Sequence, residues 1–373
     1  MSQTLTEPFD NSFKLRDRQS LDRILDAVPN VSDFYFCDRE PIRATVQNRT
    51  VQVTSRPLDA GEIKELVFIL GDESNGLHQN LMTDASPRDR SYTTLRSRVR
   101  HRVNLTVNSA KSSVSKSVRV VMRRLAETPW KKENLRMPPG LLDASLSHEP
   151  GLVMVLGATG SGKTSLLSGQ LRALVENPDN HGHLVTIEDP VEYSYDAVAS
   201  PNFMVTQLEV GVGCKDFADG MRAATRMHPT HILIGEIRDP ETAASAIAAA
   251  RSGHRVFATM HTSSVPEMFA RWSDFFPESA QRRAMADLAT VIDYAVYQTL
   301  EHTEKGFMPV QESLSLVGID RPAFVSHVTS SLDNLYGLMK AYLSRYGTSH
   351  DKDRMFCNPS TAPKTSLPTT ESS

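Results

Sequence analysis

The sequence has no apolar run long enough to cross a bilayer. One of its longest, Leu152 to Leu156, is about a quarter of the ~20 residues required. The N-terminus, MSQTLTEPFDNSFKLRDRQS, lacks the apolar core of a secretory signal. A cytoplasmic chain without a transmembrane segment is therefore expected. Cysteine is scarce: Cys37, Cys214 and Cys357 are the only three, with no CxxC pair, which argues against a disulfide framework or a structural zinc site and leaves reduced thiols as the default. An excess of one charge is also missing. With 41 basic and 44 acidic side chains the net charge is -3, so nothing draws the whole molecule to nucleic acid, and any basic site must be local.

What is present is an ordinary soluble composition, 39% apolar and 23% charged, in 373 residues, enough for two domains and a tail. Residues 1–20 are polar and unpatterned and read as a flexible leader. Residues 21–125 open with helical spacing at Leu21 to Val28. They continue with short β-rich runs, interrupted by helical spacing from Gly61 to Leu70, and predict a small α+β domain. Residues 126–148 contain TPWKKENLRMPPGLL, whose prolines and charges resist helix and strand, and read as a linker. Across 149–320, apolar strands (LVMVL, HLVTI, HILIG, RVFATM) alternate with helices, which predicts an α/β domain of βαβ units around a mostly parallel sheet. Residues 321–373 read as a short helical segment, centred on Ser331 to Tyr346, and a disordered tail.

Between the first of these strands and a helix lies GATGSGKT, residues 157–164, in the context that a phosphate-binding P-loop requires. Gly157, Gly160 and Gly162 let the backbone wrap a phosphate. The N–H groups of Ala158, Thr159, Ser161 and Ser165 would join theirs, and the helix N-terminus adds its dipole. Lys163 is expected on the β- and γ-phosphates of ATP, and the Thr164 hydroxyl on Mg²⁺. LSGQ, residues 167–170, resembles an ABC-transporter signature but lies inside the helix that follows the loop, where it could not act as one.

Two further strand ends carry acids. TIEDPVEY supplies Glu188, Asp189 and Glu192; HILIGEIRD supplies Glu236, Arg238 and Asp239. Phosphoryl transfer to water needs one carboxylate to orient the nucleophile and another to hold Mg²⁺ or its water shell. The next strand ends in Met260-His261-Thr262, where His261 could sense the γ-phosphate; His254 precedes that strand.

In this order, GATGSGKT, TIEDPVEY, MRAATRMHPTHILIGEIRD and SGHRVFATMHT resemble the Walker A, Asp box, Walker B and His box of the secretion NTPase superfamily, the motors of type II and type IV secretion and of type IV pili. The resemblance is clearest over residues 151–300 and extends upstream through SDFYF and RHRVN. It implies a RecA-like P-loop core with a smaller N-terminal PAS-like domain. It also implies a homohexameric ATPase docked on inner-membrane secretion, conjugation or pilus platform proteins, hence peripheral to that membrane, with no sequence-specific nucleic-acid contact. By position it makes Glu236 the Walker B glutamate and a Mg²⁺ ligand beside Thr164, with Gly235 where other P-loop enzymes have Asp. Glu192 becomes the Asp-box acid most tied to catalysis, Glu188, Arg222 and Arg226 supporting groups, and His254 and His261 the His-box pair. AVASPNFMVTQLEV, running on to Arg226, is most similar to the DotB and TraJ ATPases of type IVB secretion and conjugation. A PilT-like pilus retraction motor is the alternative, and a RecA-like DNA-handling motor an alternative of another class.

Arg96, Arg98, Arg100 and Arg102 alternate, so on one strand all four would share a face, suited to a subunit contact or a nucleic-acid patch. An arginine acting on a neighbouring subunit's nucleotide is expected among Arg100, Arg102, Arg119 and Arg123.

Overall fold

The computed structural model describes residues 9–28, 30–46, 49–71, 73–74, 76–108, 116–125, 128–303, 306–330 and 332–349. They form two compact units, one within 1–129 plus 190–197 and one within 130–189 plus 198–373.

The first unit is built from α1 (Arg18–Ala27), β1 (Val31–Cys37), β2 (Pro41–Val46), β3 (Arg49–Pro57), α2 (Ala60–Leu70), α3 (Gly76–Asp84), β4 (Arg88–Thr93), β5 (Arg100–Asn108) and β6 (Ser117–Arg124). The strands pair antiparallel in the order β3-β2-β1-β6-β5-β4. Alternation decides which face is buried: Val118, Val120 and Met122 enter the core with Phe34 and Phe36, while Arg119 and Arg123 face outward.

Residues 9–20 depart from the leader expected of residues 1–20. Phe13 and Leu15 are core residues, and the Phe9 N–H donates to the Val53 carbonyl at 2.7 Å. Glu62, in the first turn of α2, draws the segment in, because its buried carboxylate accepts from the Leu15 N–H at 2.9 Å and from both Nη atoms of Arg56 at 2.5 and 2.7 Å. Residues 1–8 lie outside the described residues. The arginine alternation also fails as a single face. Residues 95–97 form a turn, Arg98 has φ 58°, and only Arg100 and Arg102 lie on β5.

The second unit begins inside the segment read as a linker. A 3-10 turn (Lys132–Asn134) packs on the helix after the P-loop, where a Cβ at Gly169 would stand 2.1 Å from Leu135. The elements that follow are α4 (Leu141–Leu146), β7 (Gly151–Leu156), α5 (Lys163–Glu176), β8 (Gly182–Glu188), β9 (Phe203–Glu209), α6 (Phe217–Thr225), β10 (His231–Ile234), α7 (Pro240–Arg251) and β11 (Arg255–Met260). Then come α8 (Val265–Asp274), α9 (Glu278–Val291), β12 (Ile292–Thr303), β13 (Gly306–Ser315), α10 (Arg321–Ser330), α11 (Leu335–Tyr346) and β14 (Gly347–Ser349). The expected disordered tail lies outside the described residues from 350 onward. The sheet order is β14-β13-β12-β7-β11-β10-β8-β9, parallel from β12 to β9 and antiparallel at β13 and β14. β7 and β11 are buried along their whole length, which explains their unbroken apolar runs.

At the amino edge of this sheet, Arg255 is buried to 1% exposure. It ion-pairs with Asp293 of β12, donates to the Ala144 carbonyl from Nε at 3.0 Å and from Nη2 at 2.6 Å, and shares Asp293 with Arg321 of α10. Space there is tight: a Cβ on Gly151 would come within 2.6 Å of Arg255 Nη1.

Candidate active site

The carboxyl edge of the sheet carries the other cluster. Register brings Leu156 level with Met260 and Ile234 level with Ala258 and Ile187, so β7, β11, β10 and β8 all finish on one side. The residues at or just beyond those ends are the P-loop, His261, Glu236 and Glu188.

β7 gives way to a loop in which Gly157, Gly160 and Gly162 take φ 148°, 78° and 81°, the left-handed region that glycine enters without strain. Ala158, Thr159 and Gly160 form its exposed rim; Ser161 is buried. α5 starts at Lys163, with Thr164 and Ser165 half-buried in its first turn. Lys163 is buried, and its Nζ donates to the Gly157 and Ala158 carbonyls at 2.9 and 2.8 Å, so the ammonium lies over the loop it would serve.

Glu188 ends β8. Thr186 Oγ1 donates to its Oε1 at 2.7 Å, and Gln207 Nε2 reaches the same oxygen at 3.3 Å, holding a buried carboxylate in one orientation. Gly235 follows β10 and is gripped on both sides: its N–H donates to the Ile187 carbonyl at 2.7 Å and its carbonyl accepts from Thr259 Oγ1 at 2.5 Å. Glu236 comes next, its Oε1 3.6 Å from His261 Nε2. The His261 imidazole is held below its usual pKa, first by burial and then by the charge of Lys163, with Glu236 opposing, which favours its uncharged form. Arg238 lies over the Phe217 ring at 5.6 Å and 4.0 Å from Asp189.

Four of the expected residues are not brought to this group within the second unit. His254 precedes β11 at the amino edge, where its Nδ1 bonds the Ala249 carbonyl at 2.9 Å and finishes α7; the six-residue strand separates it from His261 by roughly 20 Å. Arg226 caps the C-terminal end of α6, next to Met227, whose carbonyl meets His183 at the start of β8. Arg222, one turn earlier, faces Asp219 at 3.4 Å and Glu241 at 3.7 Å. Glu192 belongs, with residues 190–197, to the first unit, where Arg100 Nη1 donates to the neighbouring Val191 carbonyl at 2.8 Å. Among the other arginines of that unit, Arg102 lies 3.9 Å from Asp89, Arg119 3.6 Å from Glu40 and Arg123 2.8 Å from Asp33.

The donors at the carboxyl edge are a hydroxyl and carboxylates. Hard oxygen ligands of this kind, completed by phosphate oxygens, suit Mg²⁺. Among the described residues, no group of three or more His, Cys, Asp or Glu could hold a metal by itself, and no helix is long and apolar enough to cross a membrane. A further residue of the site, not among those expected from the sequence, is Gln298 of β12, whose Nε2 donates to the Ser161 carbonyl at 2.8 Å. Its signal in the sequence was a glutamine inside the apolar strand AVYQTL.

Residues 87–315 match the model of the Type II/IV secretion system protein family. The chain belongs to that family. It is an ATPase of the secretion and pilus motor type, with a RecA-like P-loop core. An Escherichia coli (strain K12) relative, the uncharacterized protein YggR, is 32% identical over 73% of this chain and 78% of its own length. The crystal structure of the Legionella pneumophila ATPase DotB superposes with a TM-score of 0.82 at 27% identity, covering 92% of each chain. That of the pilus retraction motor PilT with bound ADP superposes with a TM-score of 0.72 at 26% identity, covering 88% of this chain and 90% of the other. The resemblance read from the four motifs thus holds, and both DotB and PilT are among the similar structures.

Proposed function

We propose that this protein is a homohexameric motor that hydrolyses MgATP and drives a type IVB secretion or conjugation machine, docking on its inner-membrane platform proteins. The observation that carries this reading is the meeting, at one sheet edge, of the P-loop with Glu188, Glu236 and His261. The DotB superposition, which extends over 92% of both chains, supports the choice of branch.

The P-loop N–H groups receive the phosphates, and Lys163 exchanges its loop carbonyls for the β- and γ-phosphate oxygens. Thr164 and Glu236 would hold Mg²⁺, which when bound would supply positive charge against the charge developing on the phosphate. Glu236 orients the attacking water, with Glu192 the alternative that the resemblance implies, and Glu188, fixed by Thr186, ends the adjacent strand β8. Neutral His261 can accept or donate one hydrogen bond to the γ-phosphate region and distinguish its presence from its absence. An arginine from an adjacent copy, among Arg100, Arg102, Arg119 and Arg123, would complete the site, so that closure and reopening of subunits follow the nucleotide. Arg226 and His254, which lie toward the amino edge, and Arg222, which pairs with Asp219 and Glu241, would act from such a neighbour or in ring contacts.

Two measurements test this. Steady-state ATP hydrolysis should require assembly, seen as a hexamer by light scattering, and should be abolished by Lys163→Ala; an active monomer or an active Lys163 variant would refute the motor. Complementation separates the branches: restoring secretion in a strain lacking its DotB supports the type IVB reading, whereas restoring twitching in a strain lacking PilT points to the retraction motor. A DNA-handling motor is less favoured, because the net charge of -3 gives the molecule no overall pull toward nucleic acid.

A further inference from the structure

Behind the P-loop, on the side away from solvent, lie two buried amides. Gln298 and Gln311 stand opposite each other on β12 and β13 and are 4% and 3% exposed. Gln298 Nε2 donates to the Ser161 carbonyl, Gln311 Nε2 donates to Gln298 Oε1, and Gln311 Nε2 also donates to the Arg136 carbonyl, each at 2.8 Å. Both ends of the chain are backbone carbonyls, which can only accept, so the orientation of each amide is fixed by its neighbours. Burying two glutamines costs more than burying an apolar pair of the same volume. Their effect must therefore be sought in what they hold.

What they hold is one peptide plane of the P-loop. A trans peptide is planar, with C=O and N–H pointing in opposite directions, so tying the Ser161 carbonyl to Gln298 turns the Gly162 N–H away from Gln298. Gly162 is the last residue before α5, with φ 81°, and has no room for a side chain: a Cβ would stand 2.9 Å from Gln298 Nε2. Gly157, at the other end of the loop, is equally close to β12, where a Cβ would come 2.3 Å from the Gln298 carbonyl. The loop is thus cast against this strand, with one side chain bonded to it.

We propose that Gln298, oriented by Gln311, is a positioning residue that aims the Gly162 N–H at the phosphates of a bound nucleoside di- or triphosphate. Gln311 anchors it to the Arg136 carbonyl, in the segment that enters the second unit. The proposal rests on the nucleotide-site reading above. Because the hydrogen bonds form one series, loss of either amide removes the same constraint.

The test is Mg-ADP binding by titration calorimetry to the full-length protein, with nucleotide-free thermal unfolding measured alongside. Gln298→Met and Gln311→Met should each weaken Mg-ADP about three- to tenfold, as expected for one net hydrogen bond, and the double variant should be no weaker than the worse single one. Melting temperatures without nucleotide should stay within about 2 °C of wild type. Unchanged affinity in Gln298→Met overturns the proposal, as does weakening in Gln298→Met with none in Gln311→Met. A fall in melting temperature with affinity retained would reduce the pair to packing. Lys163→Ala distinguishes the two layers: if it binds Mg-ADP as wild type does, the nucleotide-site reading fails and the proposal falls with it.

Discussion

His261 Nε2 stands 3.6 Å from Glu236 Oε1, joining the ends of two adjacent parallel strands, β11 and β10, through their side chains. A closure of a few tenths of an ångström would bring the imidazole and the carboxylate into hydrogen-bond reach. Glu236→Gln should retain Mg-ADP binding while lowering ATP turnover on the order of a hundredfold or more, and His261→Ala should lower it less. If the two act as one unit, the double variant will be no slower than Glu236→Gln alone. Steady-state hydrolysis of the three variants decides it, and additive losses would separate their roles.

The Arg255–Asp293 pair makes a claim about stability rather than catalysis. Arg255 is buried, and burial pulls its pKa down while Asp293 pulls it up, so removing the aspartate leaves a buried charge with only the Ala144 carbonyl and its lesser contacts. Asp293→Ala should cost about 3–5 kcal/mol in urea unfolding. Gly151→Ala should also destabilise, because its Cβ would enter the space of the same pair. A loss under about 1 kcal/mol in both would mean that the amino edge can repack freely.

Acid should weaken both units through buried histidines. Burial, with Arg124 adding to it, lowers His101 in the first unit to about 4; burial, with His148 adding to it, lowers His231 in the second to about 3. Between the unfolded value near 6.5 and these folded values, the unfolded chain binds more protons. Stability is therefore complete above pH 6.5 and falls as pH drops, by about 1.4 kcal/mol per pH unit for each histidine. His101→Phe, which keeps a ring beside Phe34, should remove on the order of 3 kcal/mol of that loss between pH 6.5 and 4, read from urea midpoints at a series of pH values.

Restoring the aspartate that other P-loop enzymes carry at the position of Gly235 should not improve this one. A Cβ there would lie 3.1 Å from the Ile187 carbonyl and 3.2 Å from Glu188 Cα, and the new carboxylate would crowd that of Glu188. Gly235→Asp should cost about 1–3 kcal/mol and lower turnover; a faster enzyme would show that the packing yields.

Much of the carboxyl edge was legible because its signals are local. The P-loop spells out its own backbone conformation in glycines, and the helix expected to follow it runs from Lys163 to Glu176. Uninterrupted apolar runs at β7, β10 and β11 marked strands buried on both faces. What was not legible depended on pairings distant in sequence. Phe9 to Leu15 carries little apolar periodicity and is recruited by Glu62, 47 residues beyond Leu15. The run from Arg96 to Arg102 had the period of a strand, but Arg98 takes a left-handed turn conformation. Gln298 and Arg136 meet through Gln311, a relationship that no window of sequence contains.

The ion-paired cluster of Arg255, Asp293 and Arg321 binds β11, β12, α10 and, through the Ala144 carbonyl, α4 at the edge of the sheet opposite the P-loop. A sheet riveted along one margin resists sliding of its strands past one another. Because two strands and two helices meet on one set of charges there, loss of any member would loosen several elements at once.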